Sequence, residues 1–258
     1  MVGRLEREIM RDLGAMIRTF FVNTIIIIHS IFMCLWGLVL VPFDRNGQLI
    51  HFYAAVPWAK AILWYCGVKV ITKGLGNVDR TVPRIYMTNH QSYLDVFGLL
   101  SVLPVDFKFL MKQELMKIPL LGFAMKRAGY IGIERGDPRM AVESMKAAAE
   151  RIQEGASVLI FPEGTRSEDG TLQTFKRGGF NLALRAGCEI MPIGIGGSGR
   201  LLPKGSFRVK RGTFAISVGR PIVTCKYRKK TIDLLMEEVR GAIEGLKAES
   251  EELLKSDG

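Results

Sequence analysis

The chain contains three histidines, and one of them, His90, stands five residues ahead of Asp95 in the stretch TNHQSYLD. An imidazole beside a carboxylate can accept a proton near neutrality while the acid fixes its tautomer, the logic of a triad without its own nucleophile. The same residues have a plainer use. Ser92-x-x-Asp95 is a variant capping box, in which the serine caps a helix and the acid reaches back to free backbone amides. Spacing alone leaves the two readings level.

A second polar cluster follows the apolar run SVLIF, where the sequence continues Pro162-Glu163-Gly164-Thr165-Arg166-Ser167. Glu163 can accept hydrogen bonds from a substrate hydroxyl or steady Arg166, whose planar fork suits a phosphate. Gly164 lets the main chain approach a ligand closely. Lys176 and Arg177 lie in FKRGG, and Arg135 ends the run YIGIE. One such cation is ordinarily a solvated surface charge; several at strand ends point to an anionic ligand.

The elements that must position these groups alternate between short β-like runs and helical patterns. RIYMT, FKFLM, YIGI, SVLIF and IMPIGI are separated by SYLDVFGLL and DPRMAVESMKAAAERIQEG, the rhythm of an α/β sheet flanked by helices. His90 then falls on the turn after a strand, at the carboxyl end where open α/β sheets place ligands. SFRVKRGTFAISVGRPI predicts two strands joined by a Gly-containing turn, a hairpin that Lys204, Arg208, Lys210 and Arg211 make basic. Residues 231–255 predict a closing amphipathic helix. At 258 residues one main domain is expected.

Lysine and arginine outnumber acids 36 to 25, a net charge of +11, so the surface should attract phosphates, anionic lipid or an acidic protein. No nucleic-acid module accompanies that charge, and nucleic acid is not an expected partner. Cys34, Cys66, Cys188 and Cys225 are scattered without a CxxC pair and read as reduced and structural. No zinc-like spacing appears, so a metal-free chemistry is expected. The absence of a GxSxG elbow argues against a hydrolase of that type.

The N-terminal part is different material. The 25 residues Thr19–Phe43 carry no formal charge, enough to cross a bilayer core. A second apolar stretch, Phe52–Val68, contains Pro57 and Lys60 and ends in the interface-favouring Trp64 and Tyr65. Arg4, Arg7, Arg11 and Arg18 precede the first stretch, which favours a cytoplasmic N-terminus. The expectation is a membrane-anchoring helical hairpin over residues 1–70, spanning twice or dipping into one leaflet, followed by an α/β domain over 71–258.

Together NHQSYLD, FPEGTRS, the run KQELMKIPLLGFAMKRAGYIGIERG and the Met191-Pro192-Ile193 strand resemble the 1-acyl-glycerol-3-phosphate acyltransferase family across about residues 70–220. Gly132 and Glu134 depart from the bulky apolar residue and the aspartate more common there. The resemblance implies a glycerolipid-acyltransferase fold and acyl transfer from acyl-coenzyme A or acyl carrier protein to the sn-2 hydroxyl of lysophosphatidate, giving phosphatidic acid. His90 would be the base and Asp95 its support, with direct transfer and no acyl-enzyme. Glu163, Gly164, Thr165, Arg166, Arg135 and Lys112 would hold the acceptor, no cofactor being needed. The setting would be the cytoplasmic face of the inner or plasma membrane. Alternatives are a sibling enzyme acting on glycerol 3-phosphate or another lysophospholipid, and a catalytically silent lipid-binding protein.

Overall fold

The computed structural model describes residues 2–134 and 138–256. Helix α1 (Val2–Leu40) contains the uncharged stretch, and within it Thr19, Thr24 and Ser30 return their hydroxyls to carbonyls four residues back, so each is satisfied without water. Pro42 lies in the 3-10 turn that follows. Then α2 (Gln48–Ile50), a π-helical turn (His51–Ala55) and α3 (Val56–Cys66) run as one rod, its first turn capped by Asp44 Oδ2 accepting the Ile50 amide at 2.7 Å.

The chain then enters a mixed sheet of strands β1 (Val68–Lys73), β2 (Ile85–Thr88), β3 (Phe107–Lys112), β4 (Ile131–Ile133), β5 (Ser157–Ile160), β6 (Ile190–Gly196) and β7 (Gly212–Val218). Their order is β1-β7-β6-β2-β5-β3-β4, parallel except where β7 runs against β6. β2, β5 and β6 are buried along their whole length, as expected of central strands covered on both faces. Alternate side chains enter two cores. Tyr86, Leu159 and Ile193 pack with α3 and α4 (Leu94–Val102), whereas Ile85, Met87, Val158 and Ile160 pack with α6 (Pro138–Gln153), α7 (Arg177–Ala186) and α9 (Ile232–Ser256). Helix α9 presses so closely on β6 that a Cβ at Gly194 would run into the main chain of Leu246. Smaller helices α5 (Leu121–Arg127) and α8 (Ser198–Leu201) complete the fold.

Two expectations change here. The second apolar stretch is not lipid-facing material all round: Ala59, Ile62, Leu63 and Cys66 form a stripe at helical spacing, buried against the sheet and α4. Trp58 packs edge-on to Phe97 of α4 at 5.2 Å, so this helix and strand β1 share the core of the α/β domain. The expected hairpin over 206–222 is also absent. β7 has both edges occupied, by β6 and β1, and residues 203–211 form a loop tied by Lys210 N to Leu201 O.

The first stretch behaves differently. Only 17% of its apolar window is buried, and Phe20, Phe21, Ile27, Ile28, Phe32 and Leu35 stand exposed along one side. Its other side follows the domain, with Arg18 Nη2 donating to Cys66 O, Trp58 Nε1 to Ser30 Oγ and Trp36 Nε1 to Tyr53 O.

Candidate active site

β2 and β5 are parallel neighbours, Met87 beside Ile160, so the residues after their carboxyl ends emerge side by side. The helices that follow diverge, α4 to one face and α7 to the other, which opens a crevice at the strand ends. TNHQSYLD and FPEGTRS both lie in that crevice.

His90 Nδ1 and Asp95 Oδ2 are 2.8 Å apart. The same Oδ2 accepts the amides of Gln91 at 2.7 Å and Ser92 at 2.9 Å. Cap and ring support are therefore one atom's work. A carboxylate with no exposed surface, in the first turn of α4, satisfies the loop amides and fixes the imidazole in one orientation. Ser92 Oγ donates to Leu202 O and accepts the Leu94 amide. The ring stacks on Phe161 with centroids 3.9 Å apart. With Nδ1 engaged, Nε2 is the nitrogen available to a substrate.

Glu163 is engaged by the main chain on both of its oxygens. It is 3% exposed; Oε1 accepts the His90 amide at 2.8 Å and Oε2 the Gln173 amide at 2.9 Å. Burial pushes its carboxyl above the ordinary glutamate range, opposed by those two hydrogen bonds. His90 O in turn accepts the Ser167 amide at 2.8 Å, which fastens the two loops together. Asn89 clamps β6 on the other side, exchanging hydrogen bonds with both main-chain groups of Ile195.

A cavity of about 410 Å³ opens beside the histidine. Its polar wall carries His90, Gly164, Thr165, Arg166 and Lys112; its apolar wall includes Met33 and Gly37 of α1, Ala54 and Trp58 of the following rod, and Phe97, Phe109, Ala124 and Tyr130. Arg166 lies with its guanidinium 3.8 Å from the Tyr93 ring centroid, and its Nη1 is buried with no partner among the described residues. A buried, unsatisfied cationic donor at a cavity wall is a ready anion contact. Gly164, at φ +74°, donates its amide to Phe161 O, and the Lys176 side chain runs alongside it. Lys112 is exposed and paired with Glu114 at 2.7 Å. Arg135 lies outside the described residues.

The structure thus gathers His90, Asp95, Glu163, Gly164, Thr165, Arg166 and Lys112 around one crevice. Sequence reasoning assigned no role to Asn89, Ser167, Gln173, Phe161 or Tyr93, which hold the reactive groups in place. Only the position of Asn89 next to the histidine hinted at one. Asp95 and Glu163 stand behind the cavity wall, in supporting positions.

Comparison with known proteins gives the family and the fold. The Acyltransferase family model matches residues 69–196. A chloroplastic 1-acyl-sn-glycerol-3-phosphate acyltransferase of Brassica napus is 38% identical over 203 residues, 78% of this chain, and the matched part spans 57% of that protein's length. A 1-acyl-sn-glycerol-3-phosphate acyltransferase of Limnanthes douglasii is 33% identical over 204 residues, 77% of this chain and 71% of the relative. The crystal structure of the 1-acyl-sn-glycerophosphate acyltransferase PlsC from Thermotoga maritima shares the fold, with a TM-score of 0.79 at 24% identity over 94% of this chain and 97% of that one. The crevice between β2 and β5 is thus built on a shared architecture, and the chain belongs to the 1-acyl-sn-glycerol-3-phosphate acyltransferase family.

Proposed function

We propose that the protein transfers a fatty acyl group from acyl-coenzyme A or acyl carrier protein to the sn-2 hydroxyl of 1-acyl-glycerol-3-phosphate, giving phosphatidic acid. The observation that carries this reading is the meeting, at one cavity, of a carboxylate-held histidine, an unpartnered arginine nitrogen and a long apolar wall. An alcohol attacks a thioester at neutral pH only if a base takes its proton as the bond forms. Nε2 of His90 accepts that proton, and Asp95 stabilises the imidazolium. The tetrahedral intermediate collapses with loss of the thiolate, which the imidazolium reprotonates. Every bond is accounted for without an acyl-enzyme.

The Gly164 amide is taken by Phe161, which leaves the main chain of Thr165 and Arg166, both at the cavity wall, as the place for oxyanion donors. Arg166 holds the acceptor phosphate, with Lys112 and Arg135 assisting. The apolar wall holds acyl chain.

The setting is a membrane surface, with the exposed side of α1 in lipid. Arg18 and Trp36, 18 residues apart and so roughly 27 Å along a helix, are both tied to the α/β domain. A perpendicular crossing would carry that domain's polar surface into the bilayer core, so α1 lies in one leaflet. The arginine-rich N-terminus supports the cytoplasmic face.

The test incubates membranes holding the protein with labelled acyl-coenzyme A and lysophosphatidate, beside a His90→Ala variant and a glycerol 3-phosphate arm. Labelled phosphatidate from the parent alone supports the reading. Equal product from the variant, or product only with glycerol 3-phosphate, overturns it.

A further inference from the structure

We propose that the loop over residues 203–211 is a second membrane contact, which inserts Phe207 into the leaflet that receives α1 and binds anionic phospholipid headgroups with the cations around it. The inference rests on α1 facing lipid, and it concerns a loop that contributes no residue to the cavity beside His90.

Phe207 is 77% exposed, yet it is not on a free loop. Its carbonyl accepts from Asn23 Nδ2, the carbonyl of Val209 accepts from Arg18 Nη1, and Lys210 N donates to Leu201 O. Helix α1 on one side and α8 on the other therefore hold a large aromatic ring out into the surroundings. A fixed, uncovered phenylalanine is unfavourable in water and favourable in hydrocarbon. Beside it lie Phe20 and Ile27 of α1, also strongly exposed, so the ring extends the helix's apolar side onto the α/β domain.

The charge pattern selects the occupant. PKGSFRVKR holds four cations and no acid. Lys204 is engaged by Glu168 at 3.0 Å, while Arg208, Lys210 and Arg211 have no acidic partner among the described residues. Between α1 and the loop runs a groove of about 560 Å³ in which Thr19, Asn23, Thr24 and Arg208 stand beside Phe20 and Phe207. The Arg208 guanidinium beside the rings of Phe20 and Phe207 matches a phosphate headgroup beside an acyl chain. Trp64, also 77% exposed, stands two residues before Cys66, whose carbonyl accepts from the same Arg18 that holds Val209. Exposed aromatic and cationic residues together favour the headgroup region.

The experiment uses the full chain in lipid nanodiscs with the photocrosslinker benzoylphenylalanine at position 207, or at position 32 on the exposed side of α1 as reference. Discs are made of phosphatidylcholine alone or with ~30% phosphatidylglycerol. Lipid adducts are expected at both positions. The yield at 207 should rise severalfold with the anionic lipid, fall back in ~0.5 M salt, and lose the gain in an Arg208→Glu, Lys210→Glu variant that leaves the position 32 adduct unchanged. Adducts at 32 and none at 207 would overturn the proposal and leave the membrane-facing role of α1 standing. Adducts at neither would overturn both. Equal yield at 207 in the two lipids would overturn headgroup binding.

Discussion

Glu163 Oε1 accepts the main-chain amide of His90 at 2.8 Å, across 73 residues of sequence, while the imidazole of the same residue leans on Asp95. One carboxylate fixes the backbone of the base and another fixes its ring. Glu163 thus ties the main chain of His90 to that of Gln173.

Replacing Glu163 by glutamine keeps the shape but turns an amide NH2 toward one of the two backbone donors. That leaves a buried amide unpaired, at a cost of about 1–3 kcal/mol. The turnover number should fall roughly 10–100-fold through misalignment of the base, with little change in KM for the acceptor. A variant that loses acceptor affinity at unchanged turnover would return Glu163 to substrate binding.

Asp95→Ala removes the acceptor shared by His90, Gln91 and Ser92. Two effects should appear together: a loss of turnover of about 10²–10⁴-fold and a loss of about 1 kcal/mol of stability from the weakened helix start. Parallel kinetics and thermal unfolding in detergent check this. A stability loss with full activity would leave only the cap.

Arg166→Lys preserves the charge but neither the fork nor the stacking on Tyr93. KM for lysophosphatidate should rise about tenfold or more, while transfer to an acceptor alcohol lacking phosphate stays unchanged. Equal losses on both acceptors would sink the assignment.

Ala124 lines the apolar wall of the cavity. Ala124→Phe fills part of the space for acyl chain, so kcat/KM for the longest donors should drop roughly tenfold or more relative to short ones. A uniform loss across chain lengths would show that the cavity does not hold the donor chain.

His51 has no exposed surface and lies between the rings of Phe52 and Phe107. Asp106 Oδ1 is 3.5 Å from its Nδ1, and Lys108 is paired with that aspartate at 2.8 Å. Burial first, then the Lys108 charge, holds its imidazole down at about 3, from an ordinary 6.5. The unfolded chain therefore binds the extra proton between those values, and the contribution to stability, complete above 6.5, is lost as pH falls toward 3. The loss between pH 7 and pH 5 is about 2 kcal/mol. His51→Phe should remove that part of the acid sensitivity, read by thermal unfolding at the two pH values. An unchanged difference would contradict the assignment.

Much of the site was legible before folding. An apolar run ending in Asn-His and another ending in Pro-Glu-Gly-Thr-Arg place polar groups at strand ends, because the period of a strand and the start of a helix are local properties. The division of labour inside the site was not legible. Glu163 reads from sequence like a residue that meets substrate, and only the folded chain shows it buried with its oxygens on the amides of His90 and Gln173. Arg166 stacks on a ring, Tyr93, that sequence alone could not bring beside it.

The sequence by itself determined which segments are apolar, where helices start and strands stop, and which side chains could move a proton or meet a phosphate, since these depend on neighbours within a few residues. Tertiary structure decided where each apolar face goes. Thr19–Phe43 and Phe52–Val68 have similar composition, but the second lays its small-residue stripe on the sheet while one side of the first remains uncovered. It also decided that β7 fills the gap between β6 and β1 instead of pairing with residues 206–211. The physical reason is the same in both cases: burial and strand pairing are relations between distant segments, and composition does not specify the partner.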